Sequence, residues 1–339
     1  MNAQLPDNYT IRPVTMADLE TAVSLFNLCA VDEIGVANIP LDAVRNEWTL
    51  PEFNLDLSTR AVFTPDGQII GYVEVWDVSE LPSRISIWGR VHPDYRNQGI
   101  GTYLLTWAEN RARQAIARVP DDVRVSYESG CTSTHMPSHQ LLCDMGLSLV
   151  RHFWQMKIEL TEPPVVGPIP DGIIIRSMIA QQEERAVIQA VRDSFKDHWG
   201  YVEQPFEKEY EQWLHFMNND PDYDPALWFV AMAGAEIAGI SLCDFKSHED
   251  PKMGWIGTLG VRRPWRRRGL GVALLQHSFR ELYGRGQKKV GLGVDAASLT
   301  GATRLYERAG MHVARQYDTY EKELRPGRDL STQSVDNTG

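Results

Sequence analysis

The sequence predicts an α/β protein made of two tandem copies of one domain, each a mixed, mostly antiparallel sheet flanked by helices. The segment RNQGIG at 96–101 returns as RRRGLG at 266–271, a shift of 170 positions. Other landmarks recur at shifts of 164 to 168, namely Ile11-Arg12 with Ile175-Arg176, Gly71 with Gly239, and Gly146 with Gly310. Because the shift is nearly constant along the chain, a whole domain is repeated.

The boundaries follow from length and composition. A chain of 339 residues accommodates two domains of about 150 residues, each large enough for its own core. The stretch TEPPVVGPIPDG at 161–172 has four prolines and two glycines, which is typical of a linker. We therefore predict an N-terminal domain at 1–160, a linker at 161–172, a C-terminal domain at 173–324 and a disordered polar tail at 325–339.

Within each copy, the order of elements reads strand, helix, strand, turn, strand, strand, loop, helix, strand, helix. The turns Asp66-Gly67 and Gly234-Ala235-Glu236 favour hairpins. Helical spacing of apolar residues predicts the buried helix faces. These faces are Leu19, Ala22, Val23 and Phe26; Leu105, Ala108, Ala112 and Ala115; Ile188, Val191 and Phe195; and Leu275, Phe279 and Leu282.

Composition excludes several classes of function. The net charge of −11 argues against nucleic-acid binding, which needs a basic surface. We find no apolar run that could span a bilayer and no signal-peptide pattern, so we expect a cytoplasmic protein. Cys131, His135, His139 and Cys143 are spaced every four residues, but Pro137 interrupts the helix and structural zinc sites use closer paired spacings. We expect no metal.

The two glycine loops predict anion binding. In both copies a turn with Val and Pro, VHPDY at 91–95 and VRRPW at 261–265, leads into Arg-x-x-Gly-x-Gly and a helix. Glycines let backbone N–H groups approach a phosphate, and a helix N-terminus supplies partial positive charge. A Rossmann site fits poorly, because a third fingerprint glycine and the downstream acidic residue are missing. A Walker loop fails because no Gly-Lys-Ser/Thr follows.

These loops, together with the downstream Leu305-Tyr306-x-x-x-Gly310, resemble the acetyl-CoA signature of the GNAT N-acetyltransferase superfamily. The resemblance covers Ile11 to Glu323 in two copies. It is nearest to tandem members similar to mycothiol synthase, because the segment SFKDHWGY at 194–201 resembles that subgroup. It implies that acetyl-CoA is the cosubstrate and that the strand 254–261 parts from its neighbour at about Leu259. The implied contacts in the second copy are Leu259, Gly260, Val261, Arg266, Arg267, Arg268, Gly269, Leu270, Gly271 and Ser298. In the first copy they are Val91, Arg96, Asn97, Gln98, Gly99, Ile100 and Gly101.

The same resemblance assigns Tyr306 as the catalytic proton donor to the departing thiolate. Aligning Gly146 with Gly310 puts Leu142 at the position of Tyr306, so we expect the N-terminal copy to be weak or silent in catalysis. In relatives an Asn usually begins the last helix, and Ser298 is the nearest candidate for that contact in this sequence.

The general base is less well defined, because the strand 254–261 carries no Asp or Glu. Asp244 is our first candidate, with Asp295, Glu203 and a water relay as alternatives. His198 and Trp199 follow the first helix of the second domain, where this fold borders the acceptor pocket, so we expect them to contact substrate.

We therefore expect an enzyme that moves an acetyl group from acetyl-CoA to a primary amine of a small molecule by direct attack. One alternative is an acyl-CoA-binding sensor or scaffold that keeps the fold with little catalysis. Another is a tandem aminoacyl transferase that uses charged tRNA, against which the acidic charge and the intact loops argue. A monomer and a homodimer both fit the sequence.

Overall fold

A computed structural model describes Leu5 and residues 8–334 of the chain. The first repeat contains these helices and strands: β1 (Thr10–Arg12), α1 (Leu19–Ile34), α2 (Leu41–Trp48), α3 (Leu55–Ser58), β2 (Thr59–Phe63), β3 (Ile69–Trp76), β4 (Arg84–Val91), α4 (Ile100–Gln114), β5 (Val125–Thr132), α5 (Met136–Asp144) and β6 (Ser148–Glu159).

The second repeat follows the same order with one helix fewer before its hairpin. Its elements are β7 (Ile173–Ser177), α6 (Glu184–Phe195), α7 (Phe206–Asn219), β8 (Trp228–Ala233), β9 (Glu236–Asp244), β10 (Met253–Val261), α8 (Leu270–Gly284), β11 (Lys289–Asp295), α9 (Ala302–Arg308) and β12 (His312–Arg325). The predicted α/β fold, in two copies, is confirmed. The sequence analysis missed α2, α3 and α7, and it missed the closing strands β6 and β12.

The chain forms two compact units. The N-terminal unit comprises the residues up to Arg151 and the segment Tyr317–Leu330, and the C-terminal unit comprises His152–Gln316 and the residues from Ser331. Within the described residues each unit contributes six strands, in the order β1-β2-β3-β4-β5-β12 and β6-β11-β10-β9-β8-β7 respectively. Among the strands of the part of the chain that the structure describes, β4 pairs with β5 and β10 with β11 in parallel, and the other pairs within each unit are antiparallel.

The last strand of each unit comes from the other sequence repeat, which corrects the predicted domain boundaries. Tyr317 to Arg325 pair with β5, and Phe153 to Glu159 pair with β11. Residues 152–160 therefore belong to the C-terminal unit, and residues 317–324 belong to the N-terminal unit. Strand pairing depends on residues that are distant in the sequence, so the local composition used to draw the boundaries could not predict it.

The predicted disordered tail also needs correction. The backbone N–H of Arg328 donates to the carbonyl of Asp122 at 2.7 Å, and the N–H of Thr332 donates to the carbonyl of Tyr201 at 2.9 Å. These bonds satisfy the backbone of a segment that has few apolar anchors. Residues 335–339 of the predicted tail lie outside the described residues.

The cores lie where the helical periodicity predicted them. Leu19, Ala22, Val23 and Phe26 of α1 are buried, and so are Leu275, Phe279 and Leu282 of α8. Each large side chain that is fully buried contributes about 1.5–3 kcal/mol to the free energy of folding. Among the described residues no helix is long and apolar enough to cross a membrane.

Candidate active site

The two glycine loops have the same backbone conformation. Asn97 and Arg267 both lie in the left-handed region, with φ of 61° and 63°. Gly99 and Gly269 are the N-cap residues of α4 and α8, with φ of 82° and 83°. A left-handed non-glycine residue costs about 1–3 kcal/mol and persists where a site requires it. In both loops the first N–H groups of the helix have no intrahelical acceptor and can bind an anion.

The arginine side chains of the second loop divide into two groups. The guanidinium groups of Arg263 and Arg266 both bind the carboxylate of Asp197, whose side chain is 3% exposed. Arg266 also donates to the backbone carbonyls of Val261 and Ser194, at 2.8 Å and 3.1 Å. The two arginines lower the pKa of Asp197 to about 2, through the hydrogen bond from Arg263 first. They therefore fasten the loop to the end of α6.

Two other arginines of the loop, Arg267 and Arg268, are exposed at its tip. These two are free to approach a phosphate, whereas the side chain of Arg266 is committed to the protein. The first loop repeats the fastening, because Arg96 donates to Asp32 near the end of α1 at 2.6 Å. Of the three loop arginines expected near the phosphates, only Arg267 and Arg268 therefore have side chains that could approach them. Arg266 could contribute only its backbone N–H.

Strands β10 and β11 part inside the C-terminal sheet. Their parallel pairing covers only Met253 to Ile256 against Lys289 to Leu292, although β10 continues to Val261 and β11 to Asp295. On the other side of β10, the pairing with β9 skips Gly257, which forms a β-bulge. The separation begins after Ile256, three residues earlier than the predicted position at Leu259. The bulge explains the shift, because it bends the strand where the extra residue enters.

The carboxylate of Asp244 lies beside this bulge. A Cβ atom placed on Gly257 would be 3.6 Å from Oδ2 of Asp244 and 3.9 Å from the indole of Trp255. Burial, with a smaller contribution from the nearby carboxylates of Asp220 and Asp222, raises the pKa of Asp244 to about 7. A carboxylate with a pKa near neutrality is matched to general-base chemistry.

Tyr306 lies on α9 and is 6% exposed. It belongs to the same apolar cluster as Ile256 and Leu259 of β10, so it packs on the part of the sheet where the strands separate. Burial raises the pKa of its phenol to about 12. Among the described residues none shares a hydrogen bond with its hydroxyl, which remains available to a ligand.

The other predicted site residues in the C-terminal unit have varied partners. The ring of His198 packs on Phe195 with centroids 4.2 Å apart, and burial lowers its pKa, as does the charge of Arg266. The indole N–H of Trp199 donates to Gln333 at 3.0 Å. Ser298 accepts a hydrogen bond from the N–H of Ala302 at 3.3 Å, so it helps to start α9.

The two alternative general bases are engaged in structural contacts. Glu203 accepts a hydrogen bond from Arg192 at 2.9 Å, and its side chain is 67% exposed. Asp295 accepts from the N–H of Ala297 at 3.0 Å and closes a turn after β11. Neither carboxylate is among the groups nearest to Gly257, whereas that of Asp244 is.

The N-terminal unit keeps the loop but changes the residues around the strand opening. Strands β4 and β5 pair only from Arg84 to Ser86, so they also part. The register between β3 and β4 is continuous, so the bulge is missing there. Gly71 pairs with Val91 in the N-terminal unit, and Gly239 pairs with Val261 in the C-terminal unit. When these two pairs are aligned, Trp76 stands at the position of Asp244 and Arg90 at that of Gly260.

Packing confirms the match between α5 and α9. A Cβ atom on Gly101 would lie 2.9 Å from Leu141, and one on Gly271 would lie 3.0 Å from Leu305. The next residues, Leu142 and Tyr306, are therefore equivalent, and Leu142 is buried. The N-terminal unit has a leucine where the C-terminal unit has its phenol.

A cavity of about 310 Å³ lies at the strand opening of the N-terminal unit. Its lining includes Val91, Arg96, Asn97, Gly99 and Gly101 of the predicted anion loop, and it reaches Leu142. Two predicted loop residues are oriented elsewhere: Ile100 is buried, and Gln98 accepts from the hydroxyl of Tyr9 at 3.3 Å.

Sequence reasoning missed Gly257, Asp197, Trp255 and the carboxylates of Asp220 and Asp222. Three glycines at intervals of three, Gly254, Gly257 and Gly260, were a usable signal for the bulge, because interior glycines in a strand often mark one. The proximity of Asp197 to the loop and of Asp220 to Asp244 has no local sequence signal. Among the described residues no group of three or more His, Cys, Asp or Glu side chains is arranged to hold a metal ion.

Two family profiles match the chain. The profile of the acetyltransferase (GNAT) family matches residues 188–311, which include the second loop and Tyr306. The profile of the acetyltransferase (GNAT) domain matches residues 58–132, which include the first loop.

A solved structure and two curated proteins extend this similarity to most of the chain. A GCN5-related N-acetyltransferase from Sphaerobacter thermophilus is 34% identical with a TM-score of 0.78, over 97% of this chain and 100% of that one. The mycothiol acetyltransferase of Streptomyces scabiei is 28% identical over 259 residues, 76% of this chain and 75% of that protein. That of Thermobispora bispora is 27% identical over 292 residues, 83% and 91% of the two chains. A tandem GNAT protein from the clavulanic acid biosynthesis pathway, 13% identical over 94% of this chain and 100% of that one, shares the fold with a TM-score of 0.68.

Proposed function

Because this chain belongs to the GCN5-related N-acetyltransferase (GNAT) family, we propose that its C-terminal unit transfers the acetyl group of acetyl-CoA to a primary amine of a small molecule by direct attack. One observation carries the proposal. The carboxylate of Asp244 lies beside the bulge at Gly257, where the edge of β10 facing β11 loses its strand partner. A buried carboxylate and a strand edge without a partner strand thus lie close together, which supports the proposal.

Residues of the glycine loop and of β10 would bind the acetyl donor. The N–H groups at the start of α8 and the exposed side chains of Arg267 and Arg268 suit its pyrophosphate. The free edge of β10 from Gly257 to Val261 suits the amide groups of its pantetheine arm. Acetyl-CoA would supply the electrophilic thioester carbonyl, and once the acetyl group is on the amine, CoA would leave as the free thiol.

The proton transfers follow from the pKa values of the two side chains. With a pKa of about 7, Asp244 is substantially ionised at neutral pH and accepts a proton from the amine as the new bond forms. Backbone N–H groups at the bulge stabilise the negative charge that develops on the carbonyl oxygen. Tyr306, with a pKa of about 12, stays protonated and donates to the departing thiolate.

For the N-terminal unit we propose ligand binding without catalysis. Its loop has the backbone of the second loop, and its cavity of about 310 Å³ reaches that loop. A CoA-like anion suits this cavity. Trp76 and Leu142 at the positions of Asp244 and Tyr306 remove both proton-transfer groups, so turnover in this unit is not expected.

The test measures release of the CoA thiol with a panel of primary amines and, in parallel, binding of acetyl-CoA by calorimetry. We expect amine-dependent turnover that the substitution Asp244→Asn lowers at least tenfold, with Asp171→Asn as the control because Asp171 is exposed before β7, far from β10 in the strand order. Binding of acetyl-CoA without turnover for any amine would refute the proposal in favour of a sensor. Crystals soaked with acetyl-CoA would report which loops are occupied.

A further inference from the structure

The hydroxyl group of Ser194 is buried in the C-terminal unit without a partner. Ser194 lies in the last turn of α6 and is 2% exposed. Among the described residues none forms a hydrogen bond with its Oγ, although its backbone carbonyl accepts one from Arg266 at 3.1 Å. A buried hydroxyl that has lost its hydrogen bonds to water costs free energy unless a partner replaces them. The unpartnered hydroxyl therefore points to a ligand.

Ser194 packs directly on β10 at the strand opening. A Cβ atom placed on Gly260 would lie 2.7 Å from Cβ of Ser194 and 3.0 Å from its Oγ. Glycine at position 260 therefore lets α6 approach the strand this closely. Gly260 belongs to the part of β10 beyond Ile256, which no longer pairs with β11. The hydroxyl thus lies beside the free edge of β10.

The first repeat shows what the position of Ser194 faces. Asp32 and Asp197 are equivalent, because each binds the first arginine of its glycine loop. Three residues before them stand Cys29 and Ser194. Cys29 lines the cavity at the strand opening of the N-terminal unit, where its thiol donates to the carbonyl of Val91 at 3.4 Å. By this equivalence Ser194 faces the corresponding opening of the C-terminal unit.

The place of Ser194 along β10 decides which part of the acetyl donor it meets. Gly260 stands three residues from the bulge at Gly257, a distance of about 10 Å along a strand, on the side of the glycine loop. With the pyrophosphate at the loop and the thioester at the bulge, the pantetheine arm spans this interval. That arm carries two amide groups, and a hydroxyl can donate to an amide or accept from it.

We propose that the hydroxyl of Ser194 forms a hydrogen bond with an amide group of the pantetheine arm, so that Ser194 positions the acetyl donor in the C-terminal unit. The inference rests on the acetyl-CoA binding of the proposed function. It adds a side-chain contact to the backbone contacts of the loop and β10. The contact is specific to the second repeat, because the thiol of Cys29 is a weak donor and is already bonded to the protein.

The experiment compares two ligands in the variant Ser194→Ala. Calorimetry in the Gly99→Ala background, where binding in the first loop is weakened, measures the Kd of acetyl-CoA and of 3′-phospho-ADP, which has the phosphates of CoA without the pantetheine arm. We expect the Kd of acetyl-CoA to rise about fivefold, the range of one neutral hydrogen bond, and that of 3′-phospho-ADP to stay the same. In turnover, KM for acetyl-CoA should rise equally while kcat changes less than about twofold, because the reacting carbonyl lies at the bulge.

Two controls separate a ligand contact from a structural role. Ser194→Cys introduces the side chain of the first repeat and should raise the Kd as much as Ser194→Ala, because a thiol is a weak donor. Ser278→Ala removes another buried hydroxyl of the same unit, one that bonds Ser241 at 2.8 Å and the carbonyl of Leu274 at 3.0 Å. We expect Ser278→Ala to lower stability to urea and leave the Kd unchanged, and Ser194→Ala to do the reverse.

The outcomes separate the inference from the proposed function. An unchanged Kd for acetyl-CoA in Ser194→Ala, an equal rise for 3′-phospho-ADP, or a loss of stability like that of Ser278→Ala would overturn the inference and leave the proposed function standing. Transfer to no amine of the panel, with acetyl-CoA still bound, would overturn the proposed function, and the two Kd values would still decide the inference.

Discussion

Replacing Asp244 by Asn should impair catalysis and stabilise the fold, two effects that a purely structural residue would not combine. The folded pKa of about 7 lies about three pH units above the ordinary value of 3.8. Each pH unit corresponds to about 1.36 kcal/mol, so ionising Asp244 in the fold costs up to about 4 kcal/mol at pH 8. Asn has nearly the same shape and carries no charge.

The sign of the pH dependence follows from linkage. Because the folded pKa is raised, the fold favours the protonated form, and the penalty grows from about pH 4 and is complete above about pH 7. We expect Asp244→Asn to raise the free energy of unfolding by at least about 1 kcal/mol at pH 8, with no gain at pH 4. Urea unfolding at the two pH values measures this difference.

The kinetic counterpart is the pH profile of turnover. With one acceptor at saturating acetyl-CoA, the ratio of wild-type to variant kcat/KM should rise through about pH 7 and reach at least tenfold at pH 8. The acceptor ionises identically in both assays, so the ratio reports Asp244. A flat ratio across pH 5.5 to 8.5, or a variant that is less stable at pH 8, would refute the reasoning.

Three further perturbations test other parts of the site. Tyr306→Phe should lower kcat at least tenfold while calorimetry finds acetyl-CoA binding changed by less than about twofold; an unaltered rate would remove the phenol from the mechanism. Gly269→Ala should strain the second loop by about 1 kcal/mol or more and lower turnover, whereas Gly99→Ala should weaken ligand binding in the first loop only. Equal losses of turnover in the two variants would contradict the assignment of catalysis to the C-terminal unit. Asp197→Asn should destabilise the protein at pH 7 by releasing its two arginine partners, and most of this difference should be lost as the pH falls from about 4 through 2, because the pKa of Asp197 is lowered to about 2. A loss of stability as large at pH 2 as at pH 7 would show that charge is not the cause.

Some features of the site were readable from the sequence because their signals are local. The glycines and arginines of 96–101 and 266–271 stand in the order that the loop conformation requires, and the structure has both loops. The position of Tyr306 follows from a motif within one helix, and the alignment with Leu142 agrees with the packing of Leu141 and Leu305.

Other features were misplaced because they depend on strands that are distant in the sequence. The separation of β10 from β11 was predicted at Leu259 and begins after Ile256, because the bulge is a mismatch of register between two strands. Asp244 was one of three candidate bases. Its burial, its distance from Gly257 and the charges of Asp220 and Asp222 distinguish it from Asp295 and Glu203.

The sequence by itself determined the duplication, the α/β class and the two glycine loops, since these depend on periodicity, spacing and turn residues that act within a few positions of the chain. The tertiary structure decided which strands close each sheet, where the strand opening lies and which carboxylate has a pKa near neutrality. Those properties depend on pairing and on burial, and both are set by residues up to about 200 positions apart, such as Arg124 and Glu323.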